Sequence, residues 1–266
     1  MTEETREYGS CLVTIKDNYA IITFNRPDKL NAFSPDLFEG MQKGFTALKS
    51  EKTIRAIIWT GAGDNFSAGG DVALDIDPLK SMSLEEFKEY FNPLINLYMD
   101  IYNIDKITIA AINGFALGAG FELTLMCDFR IAAESAQLGE FFVKMGLVPE
   151  IGMCLLPRIV GPGMARYMCY TGDLFDAKEA LRIGLVEKVV PTDQLLPESE
   201  KLARRLARGP AAVGIIKKAM NQIGGQPLEL STDVGVHYQF AASRTKDHAE
   251  AVKSFLEKRK PSFTGY

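Results

Sequence analysis

The chain of 266 residues has little histidine, with only His237 and His248. Neither lies in a metal-ligand motif, and no nucleophile elbow stands near either, so zinc catalysis and serine–histidine–acid chemistry have no footing. Cysteine is also sparse. Cys11, Cys127, Cys154 and Cys169 are far apart and form no CxxC pair, so neither a disulfide framework nor a zinc site is expected, and a reducing compartment is the natural setting. No apolar run approaches the ~20 residues needed to span a bilayer. There is no GxGxxG turn of the dinucleotide-binding kind, no internal repeat, no low-complexity stretch and no flexible linker. Excess positive charge is missing too. Lys and Arg total 30 against 34 Asp and Glu, a net charge of −4, which argues against a general nucleic-acid binder. One basic concentration, Lys201, Arg204, Arg205 and Arg208, reads as a solvated helix face. The opening residues, Met1 to Glu7, are acidic and lack the features of a signal or transit peptide. The expectation is a cytoplasmic protein with no metal, no nucleic-acid partner and no membrane.

What the chain does have is apolar content for a core, 47% of its residues. Cys11 to Ile15 and Ala20 to Phe24, separated by Asp17-Asn18, read as a hairpin. Pro35 to Leu48 reads as a helix capped by Ser34 with Pro35 at its first position. Arg55 to Thr60 is a buried strand ended by Gly61 to Asp64. Leu84 to Ile104 is helical, Thr108 to Ile112 a strand, and Phe129 to Ala132 and Ala136 to Leu138 short strands. From about Thr192 the pattern is helical nearly to the end. Strands alternating with helices imply an α/β sheet with crossover connections.

Two segments could carry chemistry. Asp64 to Val72 follows a strand, and its small residues, Ala68, Gly69 and Gly70, let backbone approach a ligand and aim N–H groups at a developing negative charge. Asn113 to Asp128 runs strand, turn, then Gly118-Ala119-Gly120 opening an apolar helix. The first N–H groups of a helix have no internal partner, and its dipole favours an anion there. Glu122 stands about one turn in, among apolar residues. A buried carboxylate has a raised pKa and marks many active sites, although a structural ion pair would also place an acid there.

In this order and at this separation the two segments resemble the enoyl-CoA hydratase/isomerase (crotonase) superfamily. The resemblance extends over Ile22 to Ala32, Phe66 to Asp71, Asn113 to Asp128, Gly146 to Glu150, Leu156 to Gly161, Thr171-Gly172, Ala177 to Pro191 and Phe255 to Pro261. It implies an α/β fold of repeated ββα units with a helical C-terminal region, here a core of residues 1–195 and helices over 196–266. It also implies a homotrimer or dimer of trimers and a coenzyme A thioester as substrate, with no other cofactor. By motif position, Gly70 and Ala119 supply the two N–H groups that bind the thioester oxygen. Lys29, Ala68, Asp71, Val72, Ala73 and Gly118 fall at substrate-binding positions, as do Phe255 and Lys258, which in the family often close the nucleotide end from a neighbouring subunit.

Glu122 matches the first of two glutamates in the family's hydratases. At the second position this chain has Phe142, which can neither hold a water nor move a proton. Glu150, after Pro149 at an apparent helix start, resembles the catalytic acid of one group of enoyl-CoA isomerases, although an acid at a helix N-terminus is also ordinary. Glu140 is a third candidate. Double-bond isomerisation is therefore preferred over hydration. Single-glutamate hydration or dehydration, another enolate reaction such as thioester hydrolysis or C–C cleavage, and a non-catalytic acyl-CoA- or RNA-binding role stay as alternatives.

Overall fold

The computed structural model describes residues 3–266. Its main sheet has seven strands. Three antiparallel strands, β1 (Glu3–Tyr8), β2 (Cys11–Lys16) and β3 (Tyr19–Phe24), lead into parallel β4 (Ala56–Gly61), β5 (Ile107–Ile112), β7 (Phe129–Ala133) and β10 (Lys188–Val190). A smaller sheet joins β6 (Phe115–Leu117), β8 (Gln137–Gly139) and β9 (Phe175–Asp176). Ten helices complete the description: α1 (Pro35–Ser50), α2 (Leu84–Asn103), α3 (Ala119–Met126), α4 (Gly152–Ile159), α5 (Pro162–Thr171), α6 (Ala177–Arg182), α7 (Leu195–Ala207), α8 (Ala212–Ile223), α9 (Leu228–Ser243) and α10 (Lys246–Leu256).

The repeated unit is visible in the chain path. A main-sheet strand runs into a small-sheet strand and then a helical segment, as in β5–β6–α3 and again in β7–β8 and the 3-10 turn Phe141–Met145. Central strands β4 and β5 are buried at every position, which explains their continuous apolar runs. One face of the sheet packs Phe24, Trp59, Ala110 and Ile112 against Phe45 of α1 and Phe121 of α3. The other packs Ile58, Ile109 and Ile131 against Leu195, Ala203 and Ala207 of α7. α7 thus covers the second face of the main sheet.

The Ser34 hydroxyl caps α1 by accepting from Leu37 N, as expected. Strand β1 was not apparent in the sequence. It is a charged edge strand with no apolar alternation, held to β2 by backbone pairing together with a Thr5–Thr14 hydroxyl contact (3.0 Å) and a Lys16–Glu3 ion pair (3.6 Å). The basic stretch on α7 is partly engaged: Arg204 donates to Tyr19 Oη (3.1 Å) and Glu200 (3.2 Å), whereas Lys201, Arg205 and Arg208 are exposed. Among the described residues no helix is long and apolar enough to cross a membrane.

Candidate active site

β4 and β5 are parallel neighbours, so the loops leaving their C-terminal ends emerge side by side, the usual place for an α/β site. Three asparagines tie these loops together. Asn113 Nδ2 donates to Gly61 O (3.0 Å) and Gly63 O (2.7 Å). Asn65 Oδ1 accepts from Phe115 N (3.0 Å). Asn31 Nδ2 donates to Ala62 O (2.9 Å) and Asn65 O (2.7 Å). Ser67 then pairs with the small-sheet strand, donating to Phe115 O (2.8 Å) and accepting from Leu117 N (3.0 Å). Gly69 has φ +86°, and a Cβ there would crowd Leu117 O, so only glycine allows this approach.

The bridge between Phe33 and Gly70 orients the first donor. Phe33 N donates to Gly69 O (2.7 Å) and Asp71 N donates to Phe33 O (2.8 Å). Backbone groups alternate in direction along an extended chain, so the Gly70 N–H between them points the other way. The second donor is the Ala119 N–H, which opens α3 and has no intrahelical acceptor. Tyr98 Oη donates to Ala119 O (2.6 Å) and fixes this first turn. Gly70 and Ala119 line one cavity of about 360 Å³, together with Phe142 and Glu150 and an aromatic and aliphatic wall from α1 and α2.

Three carboxyls gather behind this cavity. Glu122 is fully buried and its Oε1 accepts from Ile151 N (2.7 Å) and Gly152 N (2.8 Å). Burial, and then the charge of Glu150, push it up to about 8 against those two N–H groups, which favour its anion. Glu140 is also fully buried, and neither of its oxygens has a protein partner. It packs so closely on Gly152 that a Cβ there would collide with it. Burial, then the charges of Glu122 and Glu150, push it up to about 9. Glu150 is half-buried, and burial raises its pKa. Of the three, only Glu150 lines the cavity. It sits two residues before α4, outside the helix, whose opening N–H groups at Ile151 and Gly152 are taken by Glu122.

The remaining candidates divide between the cavity and its surroundings. Ala68 and Gly118 lie in the two donor loops. The Asp71 carboxylate pairs with Arg26 (3.2 Å) and accepts from Ala73 N (3.2 Å) and Leu74 N (3.3 Å), which holds the π-helical turn Val72–Ile76 in place. Val72, Ala73 and Lys29 are exposed beside this segment. Phe255 and Lys258 lie at the end of α10 and do not line the cavity within this chain. Two further cavity residues, Asp75 and Tyr90, fall within the Asp75 to Phe91 segment, which the sequence reading expects to shape the acyl pocket without singling out either residue. Among the described residues no group of three or more His, Cys, Asp or Glu is placed to hold a metal ion.

A loop donor and a helix-start donor over one cavity, with buried acids behind them, define a fold and site whose kin can be identified. The enoyl-CoA hydratase/isomerase family model matches residues 14–266, and the chain belongs to that family. It is 38% identical over 259 residues to the crotonyl-CoA hydratase of Syntrophomonas wolfei, covering 96% of this chain and 98% of that protein. It is 36% identical over 252 residues to the 1,2-epoxyphenylacetyl-CoA isomerase of Escherichia coli, covering 92% and 94%. The crystal structure of a putative enoyl-CoA hydratase from Streptomyces coelicolor superposes with a TM-score of 0.93 at 31% identity, covering 100% of this chain and 98% of that one.

Proposed function

We propose that this protein isomerises the double bond of an enoyl-CoA thioester through an enolate, with Glu150 carrying the proton. The observation that carries the reading is that Glu150 alone of the three acids shares the cavity with Gly70 and Ala119. In a trans-3-enoyl thioester the Glu150 carboxylate removes a C2 proton. The electron pair moves into the dienolate, whose oxygen is held by the Gly70 and Ala119 N–H groups. Those donors bind the developing oxyanion better than the ground-state carbonyl, so they lower the barrier. Glu150 then returns the proton at C4, and the double bond closes between C2 and C3. Burial raises Glu122 and Glu140 toward their neutral forms, which limits the charge they add against the enolate. The acyl-CoA thioester is the substrate, and the chemistry needs no further cofactor.

Hydration is the second reading, favoured by the kinship to a crotonyl-CoA hydratase and by the retained Glu122. Against it stands Phe142, an apolar ring on the cavity wall where a second glutamate would hold the water. The same reading includes a homotrimer or a dimer of trimers, whose closed assembly brings Phe255 and Lys258 to a neighbour's nucleotide end. Its support is that α9 buries none of its sixteen residues in the single chain, while Phe240 is 60% and Phe255 83% exposed.

The test is to assay trans-3- and trans-2-enoyl-CoA with wild type, Glu150→Gln and Glu122→Gln. General acid–base catalysis contributes about 10²–10⁴-fold, so Glu150→Gln should lower isomerisation within that range with little change in affinity. Glu122→Gln should weigh more on any hydration. If Glu150→Gln leaves both rates intact while Glu122→Gln abolishes them, the protein is a single-glutamate hydratase or dehydratase.

A further inference from the structure

One polar pair in the cavity has no part in the proton transfer. Asp75 and Tyr90 both line it, on a mainly apolar wall that also carries the polar side chains of Ser34, Gln42, Glu89 and Glu150. Asp75 comes from the π-helical turn Val72–Ile76, where Asp75 N and Ile76 N both donate to Asp71 O. Such turns re-aim a side chain and recur at functional sites. Tyr90 comes from α2 and donates its hydroxyl to Asp75 Oδ1. Asp75 Oδ2 has no such donor and lies against Gly70, so closely that a methyl group at Gly70 would collide with it. The carboxylate is thus tethered at one oxygen and open at the other, beside the N–H proposed to bind the thioester oxygen.

A carboxylate in a largely apolar pocket is costly unless a hydrogen-bond donor meets it. Tyr90 supplies one donor, and the cavity wall offers no Lys, Arg or His to supply another. The three ionisable acids of the wall, Asp75, Glu89 and Glu150, also repel an acyl chain that ends in a carboxylate. An ammonium-bearing chain is attracted by the same acids but must give up its hydration shell on entry, to meet a carboxylate already shared with Tyr90. A neutral donor fits with the smallest desolvation cost.

We propose that the acyl group of the substrate carries a hydroxyl within a few carbons of the thioester, and that Asp75, positioned by Tyr90, accepts its hydrogen bond. This deepens the acyl-CoA reading above and rests on it. A site built to bond a substrate hydroxyl discriminates strongly against the analogue that lacks it, because its own polar group is then left unpaired.

The experiment uses trans-3-hexenoyl-CoA and its 2-, 5- and 6-hydroxy derivatives, with binding measured by calorimetry and turnover as kcat/KM. Wild type is expected to favour at least one hydroxylated thioester over hexenoyl-CoA by about tenfold or more. Asp75→Leu should reduce that ratio by about tenfold, mainly through a higher KM for the hydroxylated compound. Tyr90→Phe, which keeps the ring and removes the tether, should reduce it by less. Should Asp75→Leu fail to fold, the ratio in Tyr90→Phe decides. A wild type that treats all four alike or prefers hexenoyl-CoA overturns the proposal, as does a preference that survives both substitutions. If wild type neither binds nor converts any of the four, the acyl-CoA reading itself has failed, and the hydroxyl assignment with it.

Discussion

The two ends of α3 handle buried charge in opposite ways. At its C-terminal end Lys217, Asp128 and Arg130 each have an ionic partner. Lys217 Nζ donates to Asp128 Oδ2 (2.8 Å) and Lys106 O (3.0 Å), and Asp128 Oδ2 also accepts from Thr108 N (2.8 Å). Arg130 donates to Cys127 O (2.9 Å) and Thr124 O (3.2 Å), satisfying the helix's last carbonyls, and pairs with Glu187. At the N-terminal end one Glu122 oxygen and both Glu140 oxygens lack protein partners, and the Ala119 N–H is free of intrahelical bonds. A chain selected only for stability would pair or remove such groups. The same eight-residue helix therefore separates a paired, stabilising end from the end that the proposed function makes reactive, and substitutions at the two should fail in different ways.

The largest expected effect is at the paired end. Lys217 is almost fully buried, and Lys217→Met leaves Asp128 without its cation. Removing one partner of a buried pair costs about 3–5 kcal/mol of stability. Denaturant melts should show that loss, with kcat of the folded fraction retained. A loss of kcat without a loss of stability would break the comparison.

Next comes Ala119→Pro at the reactive end. Proline is tolerated at the first position of a helix, where its missing N–H had no intrahelical partner, so the fold should survive by circular dichroism. Turnover should fall by about 10²–10³-fold, the usual loss for one oxyanion donor. A folded variant with full activity on acyl-CoA would remove the Ala119 N–H from the mechanism.

The smallest effect sharpens the comparison through pH. Glu140 is pushed up to about 9 from an ordinary value of 4.5, so its proton is held more tightly in the folded state. The stability this contributes is fully present below about 4.5 and is lost as pH rises toward 9. One such group contributes a slope of about 1.4 kcal/mol per pH unit inside that window. Glu140→Gln, which cannot ionise, should reduce the loss of stability per pH unit between pH 7 and 9, read from denaturant melts, by up to that slope and leave the part due to Glu122. An unchanged pH profile would mean that Glu140 finds a partner, and the contrast between the two ends would weaken.

Much of this was legible from residue order. Ser34 and Pro35 announce α1 because capping and proline geometry are local. The mainly apolar runs of β4 and β5 announce central strands, and Gly118-Ala119-Gly120 before an apolar run announces a helix start able to meet an anion. Glu122 stood out as a lone acid in apolar company. Strand β1 was hidden because an edge strand needs only backbone pairing and shows no apolar pattern. Glu140 looked the weakest of the three acids, since nothing beside it in sequence shows that the α4 turn closes over it.

The sequence by itself determined the α/β class, the order of the two donor loops and the absence of a carboxylate at position 142, because these are matters of local pattern and of which residue stands where. Only the tertiary structure decided that Glu150 lines the cavity while Glu122 Oε1 accepts from the N–H groups of Ile151 and Gly152. It also decided that Asp75 meets Tyr90 over Gly70. Both outcomes depend on contacts between segments far apart in the chain, and both set the burial and neighbouring charge that govern whether a carboxyl keeps its proton. Those quantities depend on the folded surroundings and not on the residue itself.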